Sequence, residues 1–123
     1  MSDADRRRRG LEKFKAVYGD NVPAPPEGAM PFFDLMLEQV FAEVWTRPAL
    51  AQRDRRLLIM GAIAALGERD VFAVQVRSAL ACGELTAEQC REVVLQLAQY
   101  IGYPRAAGLV GTVEQILGEV AVA

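Results

Sequence analysis

Apolar residues recur along this chain at intervals of three and four, and no stretch alternates apolar with polar positions in the way a strand requires. The pattern predicts about six helices. The first runs from about Asp5 to Tyr18, with Leu11, Phe14, Ala16, Val17 and Tyr18 as its apolar side and Gly19 as its stop. Pro23, Pro25 and Pro26 hold the next loop, Asp20 to Met30, extended, because a residue before proline is pushed out of helical conformation. Pro31 suits the first position of a second helix, whose face is marked by Phe33, Met36, Leu37, Val40 and Val44 and which ends near Trp45, before Pro48.

The third helix, about Asp54 to Leu66, has no polar side from Leu57 onward. A helix apolar all round must be buried all round, so it is expected either at the centre of the core or against a second subunit. Its small residues Gly61, Ala62, Ala64 and Ala65 permit close helix contact. A fourth helix starts near Asp70, carries Phe72, Val76, Ala79 and Leu80 on its main apolar face, and stops at Gly83. Thr86 to Gln89 matches a capping box that opens a fifth helix, with Cys90, Val93, Val94, Leu97, Ala98 and Ile101 on one stripe and Gly102 at its close. Pro104 opens the sixth, with Ala106, Leu109, Val110, Val113, Ile116, Leu117 and Val120 on its buried side. The expected architecture is an all-α, single-domain antiparallel helical bundle over residues 1–123, with 1–30 as an N-terminal helix and proline-rich loop.

Composition narrows the chemistry. With 123 residues, 52% of them hydrophobic and 24% charged, the chain is of single-domain size and too apolar to be disordered. Its longest apolar run, Leu57 to Gly67, falls short of the ~20 residues needed to span a bilayer. Met1, Ser2 and Asp3 lead straight into charged residues, with no apolar leader, so a cytoplasmic location without membrane association is expected. There is no histidine at all. That removes imidazole general bases, Ser-His and Cys-His pairs, and His-ligated metals. No metal or cofactor is expected. Cys82 and Cys90 are not a Cys-x-x-Cys pair, and Cys90 lies mid-stripe where a thiol is a buried hydrophobe.

The run Arg6 to Arg9, with Lys13 and Lys15 against Asp3, Asp5 and Glu12, makes the first helix basic, yet the whole chain is net −2 and carries no recognition motif. A solvated helix face is expected there, not nucleic-acid binding. Gln75 places a neutral amide at the margin of the apolar face of its helix, which implies either a structural hydrogen-bond network or a ligand contact. Glu43 sits at the edge of a core face, either paired with Arg47, Arg53 or Arg55, or acting as the acid or base of a pocket. Arg55 and Arg56 precede the apolar helix, and Tyr100 and Tyr103 flank Gly102. Aromatic rings, arginines and one carboxylate together suit a small anionic ligand.

The blocks Phe41-Ala42-Glu43-Val44-Trp45-Thr46-Arg47-Pro48-Ala49-Leu50, Arg53 to Leu58, Val76 to Leu80 and Tyr100-Ile101-Gly102-Tyr103-Pro104 resemble, in order and spacing, the carboxymuconolactone decarboxylase family. The resemblance covers the chain from about Arg6 to Glu119. It implies an all-helical fold assembled as a homotrimer or homohexamer. It also implies a carboxy-lyase of bacterial protocatechuate breakdown, in the β-ketoadipate pathway, that removes CO2 from 4-carboxymuconolactone to give the enol-lactone of 3-oxoadipate. Such chemistry needs an oxyanion stabiliser, cations to orient carboxylates, and a proton donor. The pocket so implied uses Glu43 and Gln75 as catalytic groups and Trp45, Arg47, Arg55, Tyr100 and Tyr103 as substrate contacts.

The decarboxylases of the family carry His-Val-Arg-x-Ala-Leu where this chain reads Gln75-Val76-Arg77-Ser78-Ala79-Leu80. An amide can polarise a carbonyl but cannot transfer a proton near neutral pH, so Glu43, a tyrosine or water must handle the proton. The alternative implied by the missing histidine is a non-catalytic oligomeric binding or structural protein. The related alkylhydroperoxidase D branch uses two cysteines at positions occupied here by Glu68 and Val71, which excludes peroxidase chemistry of that type.

Overall fold

The computed structural model describes residues 2–122. Its helices are α1 (Asp3–Tyr18), α2 (Pro31–Met36), which runs directly into a π-helical segment (Leu37–Val44), α3 (Gln52–Ala65), α4 (Arg69–Ala81), α5 (Ala87–Ile101) and α6 (Tyr103–Val122). No strand occurs among the described residues. The caps follow local chemistry. The Ser2 hydroxyl accepts from the Asp5 N–H and starts α1 two residues before the position read from periodicity. Thr86 and Gln89 form the reciprocal capping box of α5. Gly102, at φ +97°, supplies the left-handed turn that folds α6 back onto α5.

Two cores result. Helices α3 to α6 enclose one, with Met60, Phe72, Val76, Cys90, Val113 and Ile116 all essentially without solvent contact. α1 and the π segment enclose the other, built from Phe14, Val17, Leu37, Phe41 and Trp45. These two elements approach very closely at Gly10, where a Cβ atom would lie 1.9 Å from the Leu37 carbonyl oxygen, so only glycine fits. α4 lies between the cores, packing on α3 and α6 and also on α1. Asn21 ties the loop after α1 to α4: its Nδ2 donates to the buried Ser78 hydroxyl at 3.0 Å and to the Val74 carbonyl at 3.3 Å.

Three sequence expectations change, the first in α6, where Val110 and Val120, read as part of the buried side, are 49% and 56% exposed and lie beside the inward stripe of Leu109, Val113, Ile116 and Leu117. Val40 and Val44, read as part of the second helix's core face, are 41% and 49% exposed. The i→i+5 bonding of the π segment, seen in the Trp45 N–H to Val40 C=O bond of 2.9 Å, widens each turn and turns Leu37, Phe41 and Trp45 inward instead. The apolar third helix is not buried all round within one protomer. Arg56, Met60 and Ala64 face the core, while Leu58 is 67% exposed and Leu66, just past the helix end, 75% exposed. No helix among the described residues is long and apolar enough to cross a membrane.

Candidate active site

Two buried polar side chains, Arg56 and Gln75, meet where α1, α3 and α4 come together. Arg56 is wholly buried. Its Nε donates to Glu84 Oε1 at 2.8 Å, its Nη2 to Glu84 Oε2 at 3.4 Å and to the Val17 carbonyl, and its Nη1 to Gln75 Oε1 at 2.9 Å. The guanidinium also lies over the Tyr18 ring, 5.5 Å from its centroid. Gln75, 2% exposed, donates from Nε2 to the Tyr18 hydroxyl oxygen at 3.0 Å. Gln52 and Arg53 complete the surroundings of Glu84, donating to its Oε2 at 2.6 Å and its carbonyl oxygen at 2.8 Å. A buried charge of this kind is tolerated only when paired and hydrogen-bonded, and each of the three Arg56 nitrogens has an acceptor.

Beside this network is a cavity of about 300 Å³ between α1, α2 with its π extension, and α4. Phe14, Phe33, Phe41 and Met36 form an apolar wall, and Val22, Val71 and Val74 close the sides. The rings are arranged edge to face, Phe14 lying 5.2 Å from both Phe33 and Phe41. The polar groups of the lining are Tyr18 and Gln75, both at least half-buried, and the exposed carboxylate of Asp70 at the rim. A larger hollow of about 700 Å³ lies between α4 and α6, but its Arg69, Arg77 and Gln115 are surface side chains and no buried polar group serves it. The smaller cavity is therefore the candidate site: an apolar pocket with a few convergent polar groups is where a small ligand is held and oriented.

Of the seven residues singled out from the sequence, Gln75 alone lines this cavity within one protomer. Trp45 stands one layer behind, stacked on the cavity residue Phe41 at 5.7 Å and 8°. Glu43 is half-exposed and pairs with Arg6 at 3.4 Å, not with Arg47, Arg53 or Arg55. Arg47 is exposed, and its carbonyl accepts from Arg55 Nη2 at 2.9 Å. Tyr100 and Tyr103 are 83% and 63% exposed at the α5–α6 junction, where the Tyr103 hydroxyl accepts from Gln99 at 2.8 Å. Sequence reasoning named Arg56 beside Arg55 among the pocket arginines but gave it no role at the site, and it left Tyr18 on the apolar side of α1. Arg56 carries a legible signal, since it stands four and eight residues before the buried Met60 and Ala64, a charge in register with the core face. Tyr18 carries none, because its hydroxyl reaches Gln75 across 57 positions.

The remaining candidates have structural roles. Arg7 is buried and bonded to Asp34 at 3.1 Å, Arg8 pairs with Asp5, and Arg9 donates to Thr46, so the arginine run is tied down within the chain. Cys90 is wholly buried, and loss of solvation pushes its thiol up from the ordinary value. Cys82 is exposed, its thiol facing the Ala16 and Val17 carbonyls.

Comparison with known proteins agrees with the family resemblance read from the sequence. The model of the carboxymuconolactone decarboxylase family matches residues 31–115. A 4-carboxymuconolactone decarboxylase of Acinetobacter baylyi is 26% identical over 128 aligned positions, a match that covers 100% of this chain and 95% of that one.

Proposed function

Because the chain belongs to the carboxymuconolactone decarboxylase family, we propose that it is a carboxy-lyase acting on a small carboxylated lactone, held in the Gln75 cavity with the ring carbonyl toward Tyr18 and Gln75. The observation that carries this reading is the Gln75–Tyr18 pair, joined at 3.0 Å on the wall of an otherwise apolar cavity. When the bond to the carboxylate breaks, its electron pair moves into the lactone and negative charge collects on the carbonyl oxygen. Donors fixed in advance at that position lower the barrier, and the Tyr18 O–H and a Gln75 N–H are such donors. The departing carboxylate faces the phenylalanine wall, where an ion is poorly solvated and neutral CO2 is not. Water at the open mouth supplies the proton to carbon and takes up the CO2 as bicarbonate. Gln75 thus serves as an oxyanion stabiliser with no proton of its own to give, and Glu43, paired with Arg6, has no part in the protomer's cavity.

Release of CO2 from 4-carboxymuconolactone by the wild type, Tyr18→Phe and Gln75→His tests the proposal. Turnover by the wild type, reduced about 100-fold in Tyr18→Phe, is expected, since one oxyanion donor contributes about that much. Release by Gln75→His with none from the wild type refutes it for the natural protein. A second reading, a ligand-binding member without turnover, draws support from the Gln75 amide, which Arg56 and Tyr18 hold at both ends. Self-association belongs to the same proposal: exposed Leu58 and Leu66 are positions for a second copy to cover, as homotrimer or homohexamer, and light scattering measures the mass.

A further inference from the structure

The hydrogen bonds that end at Tyr18 run in one direction. Arginine is a donor with no acceptor, so whichever atom of Gln75 faces Arg56 Nη1 at 2.9 Å must be the carbonyl oxygen; turning the amide over would set N–H against N–H. The guanidinium itself cannot turn, since its Nε and Nη2 are engaged by Glu84 and the Val17 carbonyl. The Gln75 NH2 group is therefore aimed at Tyr18, whose oxygen accepts one hydrogen at 3.0 Å. Among the described residues nothing accepts the Tyr18 hydroxyl hydrogen or the second Gln75 N–H, and both residues line the cavity. The one carboxylate of the lining, Asp70, is at the exposed rim. The buried end of the cavity thus presents two donor hydrogens without a partner in the chain.

We infer that Arg56 is a positioning residue that sets the direction of this chain of hydrogen bonds, and that the cavity consequently selects ligands presenting a lactone or ketone carbonyl oxygen at its buried end. The inference rests on the proposed small-molecule role of the cavity, and needs binding but no turnover. A ligand with an oxygen acceptor completes two unmet donors; an apolar ligand of the same shape leaves them unpaired in an apolar cavity.

The test is NMR titration of the full chain with a matched pair of probes, cyclopent-2-enone and cyclopentene, in the wild type and three variants. The wild type is expected to bind the enone at least about three- to tenfold more tightly, the range for one neutral hydrogen bond. Gln75→Glu presents oxygen to both Arg56 and Tyr18, turns the Tyr18 hydrogen inward and abolishes the preference, while the bond from Arg56 is kept. Arg56→Lys, another donor-only side chain, keeps the preference; Arg56→Met loses it. The ratio of the two affinities is a readout that a general loss of stability does not change. If Arg56→Met fails to fold, Gln75→Glu decides. Equal binding of both probes by the wild type, binding of neither, or an undiminished enone preference in Gln75→Glu overturns the inference. Enone selectivity without CO2 release would sustain it while defeating the decarboxylase proposal.

Discussion

Replacing Gly10 by alanine adds one methyl group where α1 meets the backbone of the π segment, the closest approach at any glycine of the chain. The new Cβ would stand 1.9 Å from the Leu37 carbonyl oxygen and 2.6 Å from its carbon, both backbone atoms of the π segment that no rotamer change can move aside. Reaching even the 3.0 Å limit of real contacts requires the two elements to part by about 1.1 Å. A gap of that size forfeits up to roughly half the dispersion energy of the atoms it separates. Those atoms belong to Phe14, Val17, Leu37 and Phe41, each at most 3% exposed. Alanine's better helix propensity returns about 1 kcal/mol, whereas overpacking of a close-packed core costs about 1–3 kcal/mol, with the upper end expected for a clash with backbone atoms, so a net loss of about 2 kcal/mol is expected. For a chain of this length that lowers the melting temperature by roughly 8 °C. Gly118→Ala is the control: a Cβ there meets nothing within 4 Å, and a gain of up to about 1 kcal/mol is expected. Thermal and urea unfolding of the two variants beside the wild type measure both. Gly10→Ala melting at or above the wild type, with Gly118→Ala behaving as stated, would refute the close-approach argument.

The buried ion pair sets a second expectation: Arg56→Met leaves Glu84, 9% exposed, without its cation, and urea unfolding should show a loss of about 3–5 kcal/mol, whereas near-wild-type stability would mean the network is not tightly held. For the thiols, Cys82 should react with an alkylating reagent in the native state and Cys90 should not until the chain unfolds; prompt labelling of both would contradict the burial of Cys90. Because burial raises the Cys90 pKa above 9.0, the folded state holds its proton longer than the unfolded chain does. Its contribution is thus complete below that pH and is lost as pH rises toward the folded value, a decline that Cys90→Ala should lessen.

The helices and their ends were legible in the sequence because they depend on neighbours in the chain. Thr86 and Gln89 cap α5 from three residues apart, glycines terminate helices with left-handed φ, and the stripes that include Phe72 and Val76, or Val113 and Ile116, identify their own buried sides. The absent histidine likewise directed attention to Gln75, which does line the cavity. Tertiary structure decided the rest, for the reason that it brings distant positions together. The π segment rotates Val40 and Val44 outward, and the whole approach of α1 to Leu37 depends on a glycine that periodicity treats as neutral. Glu43, read beside Arg47 and Arg55, finds Arg6 from another helix. The groups that give Gln75 its chemistry, Arg56 nineteen positions before it and Tyr18 fifty-seven, touch only once α1, α3 and α4 have packed, and a hydrogen bond has no periodicity by which the sequence could announce it.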